Sequence, residues 1–230
     1  MPLTLPSVSA TFALSSLAVR NPRLVVGLAL YGFADALMIE AVLGVDPWTV
    51  FAQGVAARTG LGIGVLTNLI GLAVLLLWIP LRQRPGVGTV LNVLLVGPFI
   101  ELGLWLLPSP GVLWGQIGFF TAGLLLLAVA SGVYIGARLG PGPRDGLMTG
   151  LHARLGWPIW VGRTLVEGTV LLAGWLLGGN VGLGTVAFAL LIGPLCTYTL
   201  RWFGVTPARP AERTTSSRRP WPRVWSRARA

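Results

Sequence analysis

The chain has 230 residues, of which 54% are hydrophobic and only 10% charged, with a mean hydropathy of +0.77. That balance excludes a soluble globular domain, where about a quarter of residues carry charge, and defines an integral membrane protein. The net charge of +10 comes from 17 basic residues, every one an arginine, and seven of them follow Phe203 against the single acid Glu212. The membrane part is therefore close to neutral.

Residues 1–23 form a leader, cytoplasmic or interfacial. It lacks a basic start and is interrupted by Pro2 and Pro6, so it does not read as a cleaved signal peptide. A bilayer core about 30 Å thick needs about 20 apolar residues in a helix, and six stretches qualify: 24–44, 63–81, 87–107, 118–139, 159–177 and 183–203. Two shorter segments, 47–58 and 143–154, begin at Pro47 and Pro143. Proline suits the first helical position, whose amide has no partner, so each is expected to be a helix of about three turns. Each is either re-entrant or an amphipathic helix on the membrane surface. Residues 204–230 form a basic, disordered cytoplasmic tail that rests on anionic lipid headgroups. No folded module accompanies it, so nucleic acid is not expected as a partner.

The stretch from Gly140 to Pro194 repeats the stretch from Gly44 to Pro98 at a constant offset of 96, and roughly four in ten residues match between 27 and 99 without a gap. Gly44 and Pro47 recur as Gly140 and Pro143. Arg58 and Gly60 recur as Arg154 and Gly156, and Gly86-Val-Gly-Thr89 recurs as Gly182-Leu-Gly-Thr185. The first repeat spans 24–107 and the second 118–203. Each has three spans, an odd number, so the second copy enters the bilayer from the opposite face. The expected fold is all-α, with six transmembrane helices and two short helices built from two inverted homologous repeats.

These motifs, together with Asp46 and Trp48, Arg144-Asp145-Gly146, and Arg163 with Glu167, resemble the YczE/YitT group of bacterial membrane proteins over about residues 24 to 203. The resemblance implies a polytopic helical architecture and leaves the activity open.

Arginine placement sets the expected orientation, because short loops rich in arginine stay in the cytoplasm. Arg20 and Arg23, Arg82 and Arg84, Arg138, Arg144 and Arg154, and finally Arg201 with the tail fall at alternate ends of the spans. The protein is expected in the cytoplasmic membrane with both termini on the cytoplasmic side.

Ionisable residues at membrane depth are costly and face a bundle interior or a cavity. Asp35, Glu101 and Glu167 are such residues, and Asn92 adds an amide. Arg163 lies one turn before Glu167 and should pair with it, whereas the first repeat has Thr67 and Gly71 there. The pair either locks two helices or touches a solute. Tyr31, one turn from Asp35, is a candidate to bond it. Pro98 and Pro194 fall at equivalent positions in two spans, each removing one helical hydrogen bond. In inverted-repeat transporters, interrupted helices at matching positions point to the site, so a pathway is expected between the third and sixth spans, past both prolines. Asp46 and Pro47, and Pro143, Arg144 and Asp145, open the short helices, where the helix dipole favours an anion.

Cys196 has no partner cysteine, and no histidine pair suits a metal. No nucleophile with a histidine at plausible depth is present, so an enzyme is not expected, and no cofactor or metal is implied. The expected function is a transporter or channel for a small solute, its pathway at the interface of the repeats. The alternative is a non-transporting accessory protein that supports another membrane system. A polar cavity would favour the first, a dry interior the second. Oligomeric state is not encoded in any of these features.

Overall fold

The structure, a computed structural model, describes residues 8–204, with side chains from residue 22 onward. Among these residues it contains eight helices and no strand: α1 (Val8–Glu40), α2 (Pro47–Thr59), α3 (Ile63–Leu81), α4 (Val87–Leu106), α5 (Leu113–Gly136), α6 (Pro143–Leu155), α7 (Ile159–Leu176) and α8 (Leu183–Trp202). Six are long and apolar enough to cross a membrane, α1 over Pro22–Glu40 together with α3, α4, α5, α7 and α8. The protein is a multi-pass helical membrane protein. Large apolar side chains such as Leu76, Leu190, Leu183 and Trp202 are exposed on the outside, as a lipid-facing surface requires. The expected leader boundary at residue 23 falls inside α1, because helical backbone continues back to Val8 through Pro22. The tail from residue 205 lies outside the described residues.

α1 and α5 form the centre and pack on each other, with α4 against α1 and α8 against α5. Small residues permit that close approach. A Cβ on Gly27 of α1 would stand 2.7 Å from the Tyr134 backbone nitrogen of α5, and one on Gly123 of α5 would stand 2.7 Å from the Met38 side chain of α1. Residue 123 is 27 plus 96, and 134 is 38 plus 96, so one contact has been built twice.

The same reciprocity runs through the backbone. Left-handed conformations occur at Val42 and Arg138, Gly44 and Gly140, Gly60 and Gly156, and Arg82 and Gly178, each pair 96 residues apart. Gly60 N–H donates to Ala56 O at 2.8 Å, and Gly156 N–H to His152 O at 3.0 Å, ending α2 and α6 alike. The repeated Gly-x-Gly-Thr motifs each seat against the other repeat. Gly88 N–H donates to Leu139 O at 2.8 Å, and Gly184 N–H donates to Leu43 O at 2.7 Å.

These contacts also fix relative depth. α4 has 20 residues, about 30 Å at 1.5 Å per residue. Its first turn touches Leu139, just past α5, while Ser109, just past its last turn, donates to the Glu40 carboxylate at the end of α1. The C-terminal ends of α1 and α5 thus lie at opposite ends of α4. Beyond them, the short helices α2 and α6 turn back into the bundle and bury Trp48, Val50 and Ala52, and Leu147 and Met148. Burial on that scale is not that of surface helices. Each then returns to the end it left. Arg58 Nε donates to Leu177 O at 3.3 Å, close to the Gly182 motif that packs on Leu43, and Arg154 donates to Pro80 O at 2.9 Å near the Gly86 motif that packs on Leu139.

Candidate functional site

The N-termini of α2 and α6 meet inside the bundle. Asp46 is the N-cap of α2: its Oδ1 accepts from Trp48 N–H at 3.1 Å and from Thr49 N–H at 3.4 Å, and its Oδ2 accepts from the Thr49 hydroxyl. In α6 the N-cap is Gly142, which has no side chain to serve, and the second helical residue is Arg144. Its guanidinium crosses between the helices to Asp46 Oδ1 at 2.9 Å and lies over the Trp48 ring at 5.2 Å. One carboxylate therefore caps one helix start and neutralises the cation of the other.

Asp46 is 4% exposed at its side chain and Arg144 30%, the exposed part of the arginine facing a cavity of 550 Å³. That volume is in the range of small-molecule sites. Its lining includes Asp46, Pro47, Pro143, Arg144 and Asp145 from the helix starts, Asn92 from α4, and Arg163 and Glu167 from α7. Three carboxyl groups thus face two guanidiniums and two helix N-termini, each worth about half a positive charge. The cavity holds both signs in near balance.

Asp145 is exposed, but only into the cavity. The protein around it shields it from bulk water, and this is the largest influence, lifting its carboxyl above the usual aspartate range against the opposing pull of Arg163 and Arg144 and a hydrogen bond from Tyr134. For Arg144 burial is again the largest influence and works against the charge. The opposing pull of Asp46, Tyr31 and Asp35, with the Asp46 hydrogen bond, outweighs it, so the guanidinium stays firmly protonated.

Arg163 Nε donates to Glu167 Oε1 at 3.1 Å, as the spacing leads one to expect. Both belong to α7, so the pair does not lock two helices together. Side-chain exposures of 57% and 32% put it at the open side of the cavity.

Four expected pathway residues stand elsewhere. Pro98 and Pro194 are exposed and do not line the cavity, and α4 and α8 do not pack together as a route past both would need. The carbonyl that Pro98 cannot serve is satisfied directly: Asn68 Nδ2 donates to Leu94 O at 3.3 Å, and Asn68 Oδ1 accepts from Gly97 N–H at 2.9 Å. Glu101 accepts from Gly64 N–H at 2.7 Å. It supplies the cap that Gly62, the side-chainless N-cap of α3, does not. Asp35 is buried in α1 with Oδ2 lacking a hydrogen-bond partner, and the Tyr31 ring is turned edge-on to Tyr134, with centroids 6.0 Å apart. His152 sits at the exposed end of α6, its Nδ1 2.6 Å from Trp157 O.

Sequence reasoning missed Asn68, Trp48 and Tyr134. A lone asparagine in an otherwise apolar span, one turn before a glycine, was the signal available for the first. Trp48 stood out only as part of the family motif, with no role attached, and Tyr134 offered no signal.

Six apolar helices and two short, partly buried helices define a polytopic membrane protein whose cavity is lined by both charged and apolar side chains. The chain belongs to the YczE-like family: residues 19–201 match the family described as a family of unknown function (DUF6198). It is 40% identical to an uncharacterized protein of Haemophilus influenzae over 83% of this chain and 87% of the relative. It is 37% identical to the uncharacterized membrane protein YczE of Bacillus subtilis over 76% of this chain and 82% of the relative. A weaker likeness, 24% identity over 74% of this chain and 87% of the relative, joins it to the uncharacterized protein YyaS of the same species. No solved structure matches.

Proposed function

We propose that the protein is a small-solute transporter or channel of the cytoplasmic membrane, built from two inverted repeats, with its pathway through the cavity where α2 and α6 meet. The contact of Asp46 with Arg144 carries this reading, because it joins the starts of two half-helices that leave the bundle toward opposite ends. Discontinuous helices whose N-termini point at a midplane site are a recurrent device of inverted-repeat carriers, and the positive ends of half-helices also set selectivity in pores. The pathway proposed here replaces one past Pro98 and Pro194.

The placement of those prolines favours the second reading, an accessory protein acting through its lipid-facing surface. Uptake of radiolabelled polar solutes into proteoliposomes separates the two. Arg144→Met should abolish flux of any solute that the unaltered protein carries, while Pro98→Ala should leave it intact. Loss of flux in the proline variant alone would sink the cavity pathway. Orientation is tested by single cysteines in a background without Cys196: positions 83 and 210 should label from inside, 112 and 180 from outside. Labelling of 83 and 112 from one side would remove the inverted topology.

A further inference from the structure

The two halves differ at one seam. α3 packs against α4, but the equivalent α7 and α8 are not among the packed helix pairs. In the first half, Gly64 and Gly97 bring the backbones together, Asn68 bridges to Leu94 and Gly97, and Glu101 holds Gly64. At the equivalent positions stand Trp160 for Gly64, Thr164 for Asn68 and Thr197 for Glu101. Gly193, the counterpart of Gly97, has nothing within 4 Å of a Cβ placed on it. Trp160 is 70% exposed and cannot enter a close helix contact as a glycine does. The charged cavity is thus open sideways among the described residues, halfway along two helices that span the apolar layer. An apolar groove of 180 Å³ runs along α7 beyond Glu167, lined by Gly168, Leu171, Leu172 and Trp175, with Val181 from the turn before α8.

The geometry points to an amphiphile as the cavity's ligand, a zwitterionic phospholipid whose headgroup lies among Arg144, Asp145, Arg163 and Glu167 and whose chain leaves between α7 and α8 along that groove. This rests on the same cavity as the proposed function and names the class of ligand that it takes. A water-soluble solute needs no lateral opening, and an opening at apolar depth exposes Arg163 and Glu167 to lipid at a cost unless a polar group fills it. Near balance of charge within the cavity selects a headgroup bearing both signs. A net anion would face three carboxylates, and a net cation two guanidiniums and two helix N-termini. The chain's own apolar contact is with α7.

Cys196 lines the cavity from α8 and is the chain's only cysteine, so its alkylation by a small maleimide reports occupancy in the unmodified full chain in neutral detergent. Phosphatidylethanolamine should slow alkylation about fivefold when present at about four times its Kd, by mass action. Phosphatidylglycerol with the same chains should protect far less, and water-soluble phosphoethanolamine at equal concentration not at all. Gly193→Phe, which fills the seam, should abolish protection, while Gly118→Phe, on open lipid-facing α5, should keep it. Equal protection by phosphatidylglycerol overturns the zwitterion, protection by phosphoethanolamine overturns sideways access, and protection in Gly193→Phe overturns the seam. Protection that depends on protein concentration without lipid makes the seam an interface between two copies, and also overturns the proposal. Lipid protection in a protein that carries nothing in proteoliposomes would instead sink the transport reading and leave this one standing.

Discussion

Asn68 of α3 holds Gly97 of α4 by accepting its amide hydrogen at 2.9 Å, and the same side chain donates to Leu94 O, the carbonyl that Pro98 leaves without a helical donor. One side-chain amide thereby serves the carbonyl that the proline frees and the N–H of the residue before it, and does so from the neighbouring helix. The α3–α4 seam is closed by that bond and by Glu101 on Gly64, whereas the second half has neither residue.

Asn68→Leu should therefore destabilise the protein by about 1 to 3 kcal/mol, the cost of leaving a donor and an acceptor unsatisfied in an apolar layer. Asn68→Asp should cost at least as much at neutral pH, because a carboxylate in the apolar layer is expensive and sets a second acceptor against Leu94 O. The midpoint of thermal unfolding in detergent measures it. An unchanged midpoint in Asn68→Leu would mean the bridge contributes nothing.

The Asp46–Arg144 pair predicts non-additivity. Asp46→Ala removes an N-cap, worth about 0.5 to 2 kcal/mol, and also strands the Arg144 guanidinium. Arg144→Met leaves Asp46 its cap role and strands only a carboxylate that still accepts from Trp48, Thr49 N–H and the Thr49 hydroxyl. Breaking a buried pair from one side costs about 3 to 5 kcal/mol, while removing both partners is often nearly neutral. The double variant should thus be more stable than Asp46→Ala alone. A double-mutant cycle with purely additive midpoints would deny the coupling.

How much of this was legible beforehand follows the type of signal. The repeat was readable because glycines and prolines mark backbone positions, and each marker has a structural cause. Gly44 and Gly140 hold left-handed φ values of 105° and 131°, and Gly88 and Gly184 let the backbone of the other repeat come within bonding distance. The spans were readable because length and apolarity suffice. The site was only half readable. Arg163 and Glu167 stand on one helix and obey a local spacing, but Asp46 and Arg144 are 98 residues apart and meet only once both short helices have folded back. Nor does an acid's depth in a span tell whether it faces a cavity. Glu101 faces the start of a neighbouring helix, and Asp35 faces the packed centre between α1 and its neighbours.

Asp145 gives a pH dependence. Shielding from bulk water inside the cavity raises its carboxyl above the ordinary value of 3.8, so folding is favoured by the protonated form. That contribution is present in full below the unfolded value and is lost as the pH climbs through the raised folded value. Asp145→Asn mimics the protonated group at every pH. The stability of the unaltered protein relative to this variant should therefore fall as pH rises from about 4 toward neutrality, and level off above. Unfolding midpoints of both proteins over pH 4 to 8 decide it, and a difference that grows in the opposite direction would show the carboxylate to be stabilised by Arg163 and Arg144 after all.

At one contact between the short helices and the spans, the two halves place the glycine on opposite partners. Trp78 of α3 lies across Gly146 of α6, with no room for a Cβ on that glycine, and donates from its indole to Pro143 O at 3.1 Å. The equivalents of Trp78 and Gly146 are Gly174 and Val50, and there the glycine sits on α7, its virtual Cβ 2.6 Å from the Phe51 backbone. Each contact keeps one glycine, set against the Trp78 ring in the first and against the Val50–Phe51 backbone in the second. Gly146→Val should collide with the Trp78 ring and destabilise by about 1 to 3 kcal/mol or more, as overpacking does. The compensating Trp78→Gly, made together with it, reproduces the arrangement of the other half and should recover part of that loss, the indole bond to Pro143 remaining missing. Trp78→Gly alone should leave a void and cost about 3 to 5 kcal/mol. The signature is the sign of the coupling: the double variant unfolds at a higher temperature than either single one. Should it unfold below both, the two contacts are not interchangeable, and the correspondence between the repeats stops at the backbone.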